Sequence, residues 1–408
     1  MAEQYDFVII GNSAAGLQAI RTLRKHDNNS TIALIDREDR PAYSRVLTPY
    51  YIGGHILREG LDIVDLSFYK EQGITTVFGQ SVVSIDPEKH SLQLADGRKI
   101  GFKKLLIATG AEARTLPIAT QRTCVLRHLD DAEKLVGLFQ GIKSITAIGA
   151  GLVSLPLLSH ASEQAEKHLV VGSDRIFSRV VDPETSAILE DQLKAKGLNI
   201  HKQNDISEMV EEEQLQMKLN SGKQLNSDLL VVGKGVSPNT QLAVAAGLDV
   251  ADGILIDRNC RSSHPDVYAA GDAAEGVDFI TGETTVQGNW MTAVEQGENA
   301  ALNMLGIECR YQGSLKNNIT EIFGVGVAAV GYCQDDVAES ISSWNAATGR
   351  FRRVFLDEQQ RVVGANLIGE TNDSGLYYQL VSTRSVFPGK QMLAGTANYA
   401  QVQFHLDS

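Results

Sequence analysis

Two glycine-rich turns hold the residues whose type and spacing point to chemistry: Gly11-Asn12-Ser13-Ala14-Ala15-Gly16 and Gly149-Ala150-Gly151-Leu152-Val153-Ser154. Glycine lets a backbone turn tightly and approach a pyrophosphate, which then rests on the unpaired N–H groups of a helix N-terminus. Ser13 stands at the second glycine position and is small enough to permit the same approach. Asp36 follows after about 20 further residues, where a carboxylate accepts hydrogen bonds from both hydroxyls of an adenosine ribose. The plainer roles for Asp36 are a helix cap or a surface acid. One such turn is a weak signal; two suggest a chain that holds two dinucleotides face to face.

The elements around the turns support that chemistry. Each turn follows a short apolar run, residues 6–10 and 145–148, and leads into helical spacing, which is the strand–turn–helix context of a dinucleotide fingerprint. Residues 17–27 read as a helix and 31–35 as a buried strand ending at Asp36. Lys104-Leu105-Leu106-Ile107 is a further strand, closing on the tight turn Ala108-Thr109-Gly110. Val267-Tyr268-Ala269-Ala270 is another, ending in Gly271-Asp272.

Length and composition set bounds. At 408 residues, the chain has room for two or three domains. A formal charge of −13 argues against nucleic acid or an anionic membrane surface as partner. No apolar run approaches the ~18 residues of a membrane span, and the first strand starts too early to leave room for a signal peptide. Cys124, Cys260, Cys309 and Cys333 are far apart and form no Cys-x-x-Cys pair. No iron–sulfur or metal site is expected, and free thiols in a reducing cytoplasm are.

The string Pro265-Asp266-Val267-Tyr268-Ala269-Ala270-Gly271-Asp272, taken with the first fingerprint and Thr109-Gly110, resembles the two-dinucleotide flavoproteins of the pyridine nucleotide–disulfide oxidoreductase family. The resemblance covers nearly the whole chain, including Leu126-Arg127-His128-Leu129-Asp130-Asp131-Ala132 and Gly233-Lys234-Gly235-Val236-Ser237-Pro238-Asn239. It implies FAD as a tight, noncovalent cofactor, with Asp272 bonding the ribityl chain and the Ala108-Thr109-Gly110 turn near the flavin nucleotide. It also implies that the helix opened by Asn289-Trp290 faces the flavin ring, where its dipole stabilises negative charge. Trp290 itself reads most simply as core or interface. Arg37, Val82 and Asn289 join the flavin-site candidates. The implied class is α/β: an FAD domain at 1–115 and 246–310, an NAD(P)H domain inserted at 116–245, and an α+β interface domain at 311–408.

The second half-site departs from its family. Ser154 replaces the third glycine, and Pro156 stands where relatives commonly carry a glutamate near the nicotinamide. The strand over 169–171 ends in Gly172-Ser173 where an NAD site usually places an acid, with Asp174 one residue displaced. Arg175 and Arg179 offer contacts to a 2′-phosphate instead. The expectation is NADH, with NADPH or no nicotinamide as alternatives; the candidates are Gly149, Gly151, Ser154, Gly172 and Gly235. In the family, disulfide and peroxide reduction need a thiol just after the first ribose acid. Here the sequence is Arg40-Pro41-Ala42-Tyr43-Ser44-Arg45, and no cysteine precedes Cys124.

That cysteine-less stretch resembles the nitrite reductase large subunit, rubredoxin reductases and the FAD-containing epsilon subunit of phenylglyoxylate dehydrogenase. The implied function is an NADH-dependent FAD subunit feeding a redox-protein partner, iron–sulfur or ferredoxin-like, inside a larger complex or as a homodimer. The alternatives are a free-standing NADH oxidase or small-acceptor reductase, and a flavin-bearing structural subunit. Arg45 is the candidate flavin or pyrophosphate contact, with a surface salt bridge as the other reading. No general acid or base is assigned, since hydride transfer needs positioning more than proton transfer; His128 and His405 form no constellation. Residues 311–408 read as an assembly surface, with Tyr377 and Tyr378 as interface anchors or as core.

Overall fold

The apolar run before the first glycine turn becomes strand β1 (Glu3–Ile10), whose last four residues are buried. Such a run is buried on both faces when parallel neighbours flank it. Those neighbours are β2 (Ile32–Asp36), beyond helix α1 (Ala14–His26), and β6 (Lys99–Ile107). Parallel β3 (Ile74–Phe78) extends the sheet beside β2, while β4 (Val82–Asp86) and β5 (Ser91–Leu94) form an antiparallel meander with β6. The strand Val267–Ala269 lies parallel to β6, with Tyr268 opposite Leu106. This is the doubly wound order that puts the first turn at the carboxyl end of the central strand.

Among residues 3–118, 120–389 and 392–393, which the computed structural model describes, the chain forms two units. The first takes residues up to Leu47, Leu57–Glu112 and Val236–Ser314; the second takes Thr48–Ile56, Ala113–Gly235 and the chain from Leu315 on. His405 lies outside the described residues.

In the second unit, five parallel strands run in the order Leu198–Lys202, Glu166–Val171, Ser144–Ile148, Leu229–Val232, Thr123–Cys124. A three-stranded antiparallel meander, Ile206–Glu211, Leu215–Leu219 and Gln224–Ser227, accompanies them. The C-terminal part is a five-stranded antiparallel sheet on which the helix Ser374–Ser382 packs. Four of its strands, Asn317–Ile322, Val325–Gly331, Arg350–Leu356 and Val362–Ile368, carry buried residues. The fifth, Glu339–Asn345, is an edge strand with no buried residue, so it gives no apolar signal. Tyr377 of the packed helix is fully buried, placing it in the core of its own domain; Tyr378 is half-buried. Trp290 packs against the core of the first unit. The α/β class and Rossmann-like sheets are those expected.

Candidate functional site

The first turn is shaped by backbone contact. Gly11 has a φ of 113°, and a Cβ there would strike the Ala108 carbonyl; one on Gly16 would strike the Gly11 carbonyl. Gly11 donates its N–H to Ile35 and Ala108 donates to Ile10, so strand ends and turn are locked together. α1 then begins on Ser13, whose side chain caps nothing, and its first turn of Ala14, Ala15 and Gly16 carries no acid. Its last turn carries Arg24, Lys25 and His26, the favourable end for cations. The free N–H groups and small side chains fit a pyrophosphate.

Asp36 ends β2 beside this turn. Its carboxylate accepts from the backbone N–H of Asn12 at 2.5 Å and of Glu38 at 2.8 Å. Burial raises its pKa above the usual carboxylate range, with those N–H groups pulling the other way. Asn12 is itself buried: its Oδ1 accepts from the Tyr69 hydroxyl, which accepts from the Ala42 N–H, each at 2.9 Å. Sequence reading missed Tyr69, because a tyrosine far along the chain carries no local sign that it braces this turn.

The remaining candidates of the first unit fall into two groups. Gly271, with a φ of 76°, sits against Ala15 and Ala293 and donates its N–H to Gln296 at 2.8 Å. A Cβ on Gly288 would lie 3.5 Å from the Asp272 carboxylate, so Asp272 stands beside the start of helix Trp290–Met304. Asn289 caps that helix, accepting from Thr292 at 2.8 Å. The helix crosses α1 closely because Gly297 has no side chain to meet the Ala15 carbonyl. Thr109 and Gly110 are bound to Asn239, which donates to the Thr109 carbonyl and the Gly110 carbonyl, each at 2.9 Å. Asp266 explains the rest of the specific string: it pairs with Lys104 at 2.5 Å and His90 at 2.8 Å, pinning its strand to β6.

Arg45, Arg37 and Val82 complete the candidates of the first unit. Arg45 pairs with Glu38 at 2.6 Å and covers the Tyr43 ring, 4.9 Å from its centroid. Burial works against its charge, and nearby Tyr43, Glu38 and Asp36 outweigh burial, so its pKa is raised. Arg37 pairs with Glu112 at the surface. Val82 opens β4, half-buried against the core.

The second turn repeats the first in part. Gly149 has a φ of 92° and faces the Gly233 carbonyl, while a Cβ on Gly151 would meet open space. The following helix, Ser154–His160, is short, with no side-chain cap and no acid in its first turn. Ser154 is fully buried, and its Oγ lies where a Cβ on Gly233 would be. The glycine missing from the fingerprint is thus supplied by the facing strand. Pro156 is buried in the helix's first turn, where its missing N–H is tolerated. Gly172 and Asp174 are exposed; the Asp174 carboxylate is 3.8 Å from Arg175, whose guanidinium donates to the Ser178 carbonyl. Gly235, φ 85°, accepts from the Arg114 N–H. His128 and Asp131 form a capping box on helix Leu129–Phe139, a structural role for that motif.

Among the described residues no group of three metal-ligating side chains exists, and no helix is long and apolar enough to cross a membrane. All four cysteines are free thiols; Cys124, Cys260 and Cys333 are buried, and Cys309 is half-buried.

Known proteins extend the reading. The chain is 28% identical over 400 residues to the assimilatory nitrate reductase electron transfer subunit of Bacillus subtilis, covering 95% of this chain and 50% of that one. It thus spans half the length of that relative. It is 32% identical over 335 residues to the ferredoxin–NAD(+) reductase component of 3-phenylpropionate/cinnamic acid dioxygenase from Photorhabdus laumondii, covering 80% and 84%. The NADH-dependent phenylglyoxylate dehydrogenase subunit epsilon of Aromatoleum evansii matches at 28% over 395 residues, covering 94% and 93%. The large subunit of Escherichia coli nitrite reductase (NADH) and rubredoxin-NAD(+) reductase of Pseudomonas putida are similar as well. Among solved structures, a ferredoxin reductase from Rhodopseudomonas palustris superposes with a TM-score of 0.89 at 27% identity, over 98% of this chain and 99% of that one. The sequence model of the pyridine nucleotide-disulphide oxidoreductases matches residues 5–297, which include both glycine turns, Asp36 and Asp272. The chain belongs to that family and is, with it, an oxidoreductase that uses FAD and NAD(P)H.

Proposed function

We propose that this chain is the flavoprotein subunit of an electron-transfer complex, oxidising NADH and passing electrons to an iron–sulfur or ferredoxin-like protein. A phenylglyoxylate dehydrogenase-type 2-oxoacid oxidoreductase is the model for such a complex. The observation that carries this reading is the stretch after Asp36. Ala42, Tyr43, Ser44 and Arg45 occupy the place of the reactive thiol, and a hydroxyl has no redox couple to replace it. Held by these residues, FAD would supply two-electron uptake from NADH and one-electron release, which suits a one-electron protein acceptor.

The chain's own residues bind and orient. The uncapped N-terminus of α1 holds the pyrophosphate, Asp36 the adenosine ribose, and Asp272 the ribityl chain. Asn12, Tyr69 and Glu38 hold the loop that presents Arg45. Gly149, Gly151 and Ser154 hold the nicotinamide dinucleotide, with NADH favoured because Arg175 is turned back onto its own loop. Residues 1–115 with 246–310 form the FAD domain, 116–245 the NADH domain and 311–408 the assembly surface, and the protein works in the cytoplasm.

A second reading is a flavin-bearing structural subunit whose nicotinamide site has decayed. It is favoured by the exposure of Gly172 and Asp174 and by the short second helix. Titrating the yellow protein with NADH without oxygen separates the two. Bleaching of the flavin band supports catalysis, and the same band unmoved by NADH or NADPH supports decay. Fast turnover with oxygen as the sole acceptor would instead make the protein an oxidase. Subunits that co-purify identify the acceptor.

A further inference from the structure

Arg352 and Arg353 follow one another on strand Arg350–Leu356, so their side chains leave opposite faces of the C-terminal sheet. Arg352 pairs with Asp373 at 2.7 Å, at the start of the helix packed on that sheet. Arg353 serves the other face. It stands opposite Ser342 on one neighbouring strand and Asn366 on the other, which makes a polar row across three strands. All three side chains reach the start of one helix, Pro183–Ala195. Arg353 Nη1 pairs with Asp182 at 2.6 Å and with Glu184 at 2.8 Å. Asn366 Nδ2 donates to Asp182 at 2.7 Å, and the Ser342 hydroxyl donates to Glu184 at 3.3 Å. The other amino group of Arg353 holds Asp335 and Ser340, each at 2.8 Å, so the planar fork is fixed on both sides.

Asp182 is the fully buried N-cap of that helix. Its carboxylate accepts from the N–H groups of Glu184 at 2.9 Å and Thr185 at 3.2 Å, and from the Thr185 hydroxyl. The helix also holds the loop that precedes it. Its Ser186 hydroxyl donates to the Ile176 carbonyl at 2.7 Å, and Phe177 donates its N–H to the Ala150 carbonyl of the second glycine turn at 3.1 Å. Ile176, Phe177 and Val181 are buried. Loop 172–182 is therefore strung between the glycine turn and the helix start, and the sheet fixes the helix start. Without the guanidinium, a fully buried carboxylate would lack its cation, and solvating it means moving the cap.

We propose that Arg353, with Asn366, is a positioning residue for the adenosine end of the nicotinamide dinucleotide. It fixes Asp182 and, through that cap, the loop whose residues 172–175 stand where the adenosine ribose is read. The inference rests on the nicotinamide reading of the second glycine turn. Both residues lie beyond residues 5–297, which the family's sequence model matches, so a sheet outside the dinucleotide motifs takes part in setting one of their sites.

The test uses the full-length flavoprotein and two probes: ADP-ribose, which is the adenosine end alone, and reduced nicotinamide mononucleotide, which lacks it. Arg353→Met should raise the calorimetric Kd for ADP-ribose about tenfold. The ratio of flavin to protein absorbance, and the rate constant for anaerobic flavin reduction by the mononucleotide, should stay at the wild-type values. Arg353→Lys, with charge but no fork, should recover part of the loss. Asn366→Ala should show a smaller loss of the same kind, and it carries the test if Arg353→Met does not fold. An ADP-ribose Kd unmoved by these substitutions would overturn the proposal, as would an equal loss with the mononucleotide, the mark of general damage. A wild-type protein that binds no ADP-ribose, and whose flavin neither NADH nor NADPH bleaches, removes the nicotinamide reading and the proposal with it. Wild-type binding beside unmoved variants removes the proposal alone.

Discussion

The two glycine turns are variations on one design, and their differences are instructive. Both use a positive-φ glycine against a neighbouring carbonyl, Gly11 on Ala108 and Gly149 on Gly233. The first leads into a helix of 13 residues and lies beside a half-buried acid fixed by two N–H groups. The second leads into a helix of 7 residues, and the nearest acid is exposed. Backbone shape is thus kept in both, while the polar determinant is built in only one. Steric fit of the turn is a requirement of the fold itself, whereas an acid at the end of the next strand is not.

The largest effect should come from Gly11→Ala. The new Cβ meets a carbonyl that cannot move, in a conformation other residues avoid, so stability should fall by about 3 kcal/mol or more. Bound flavin, read as the ratio of flavin to protein absorbance, should be nearly lost. If that ratio is preserved, the first turn is not the flavin site.

Gly233→Ala tests the exchange of roles in the second turn. Its Cβ would overlap the Ser154 hydroxyl, with a destabilisation of about 1–3 kcal/mol by overpacking. Adding Ser154→Gly should restore most of the loss, and thermal melts of the four proteins give the coupling. Additive losses would show that the two positions do not compensate each other.

Asp36 gives a smaller, pH-dependent signature. Its folded pKa is raised, so its contribution to stability is complete below the unfolded value and is lost as pH rises through the folded one. In flavin-stripped protein, Asp36→Asn should flatten the fall in urea midpoint that sets in as pH rises past the ordinary carboxylate range. Identical pH profiles for the two proteins would contradict burial as the cause of the shift.

The smallest effect is expected at Asp174. Exposed beside Arg175, its carboxylate is screened by water, and Asp174→Ala should raise the KM for NADH by about fivefold or less, with kcat nearly unchanged. A rise of about a hundredfold would mean that the second site has a working ribose acid after all.

Much of this molecule is legible in sequence because the signals are local. The apolar runs at 6–10, 31–35 and 145–148 became parallel strands, and each glycine turn lies where strand meets helix. The Pro265–Asp272 string could be recognised, but only its fold shows Asp266 clamped by Lys104 and His90. Arg45 had two readings, and its partner Glu38 is seven residues away, too near in sequence and too ordinary in type to stand out.

Sequence by itself determined the α/β class, the two glycine turns, the missing thiol and the family, since glycine torsions and apolar periodicity are properties of neighbouring residues. Tertiary structure decided which polar groups meet. It set Tyr69 on Asn12 from 57 residues away and put Gly233 opposite Ser154. It also buried Tyr377 in its own domain and left Glu339–Asn345 as an exposed edge. A buried donor or acceptor takes its partner from whatever the fold brings near, and the length of chain between them leaves no trace in either residue's local pattern.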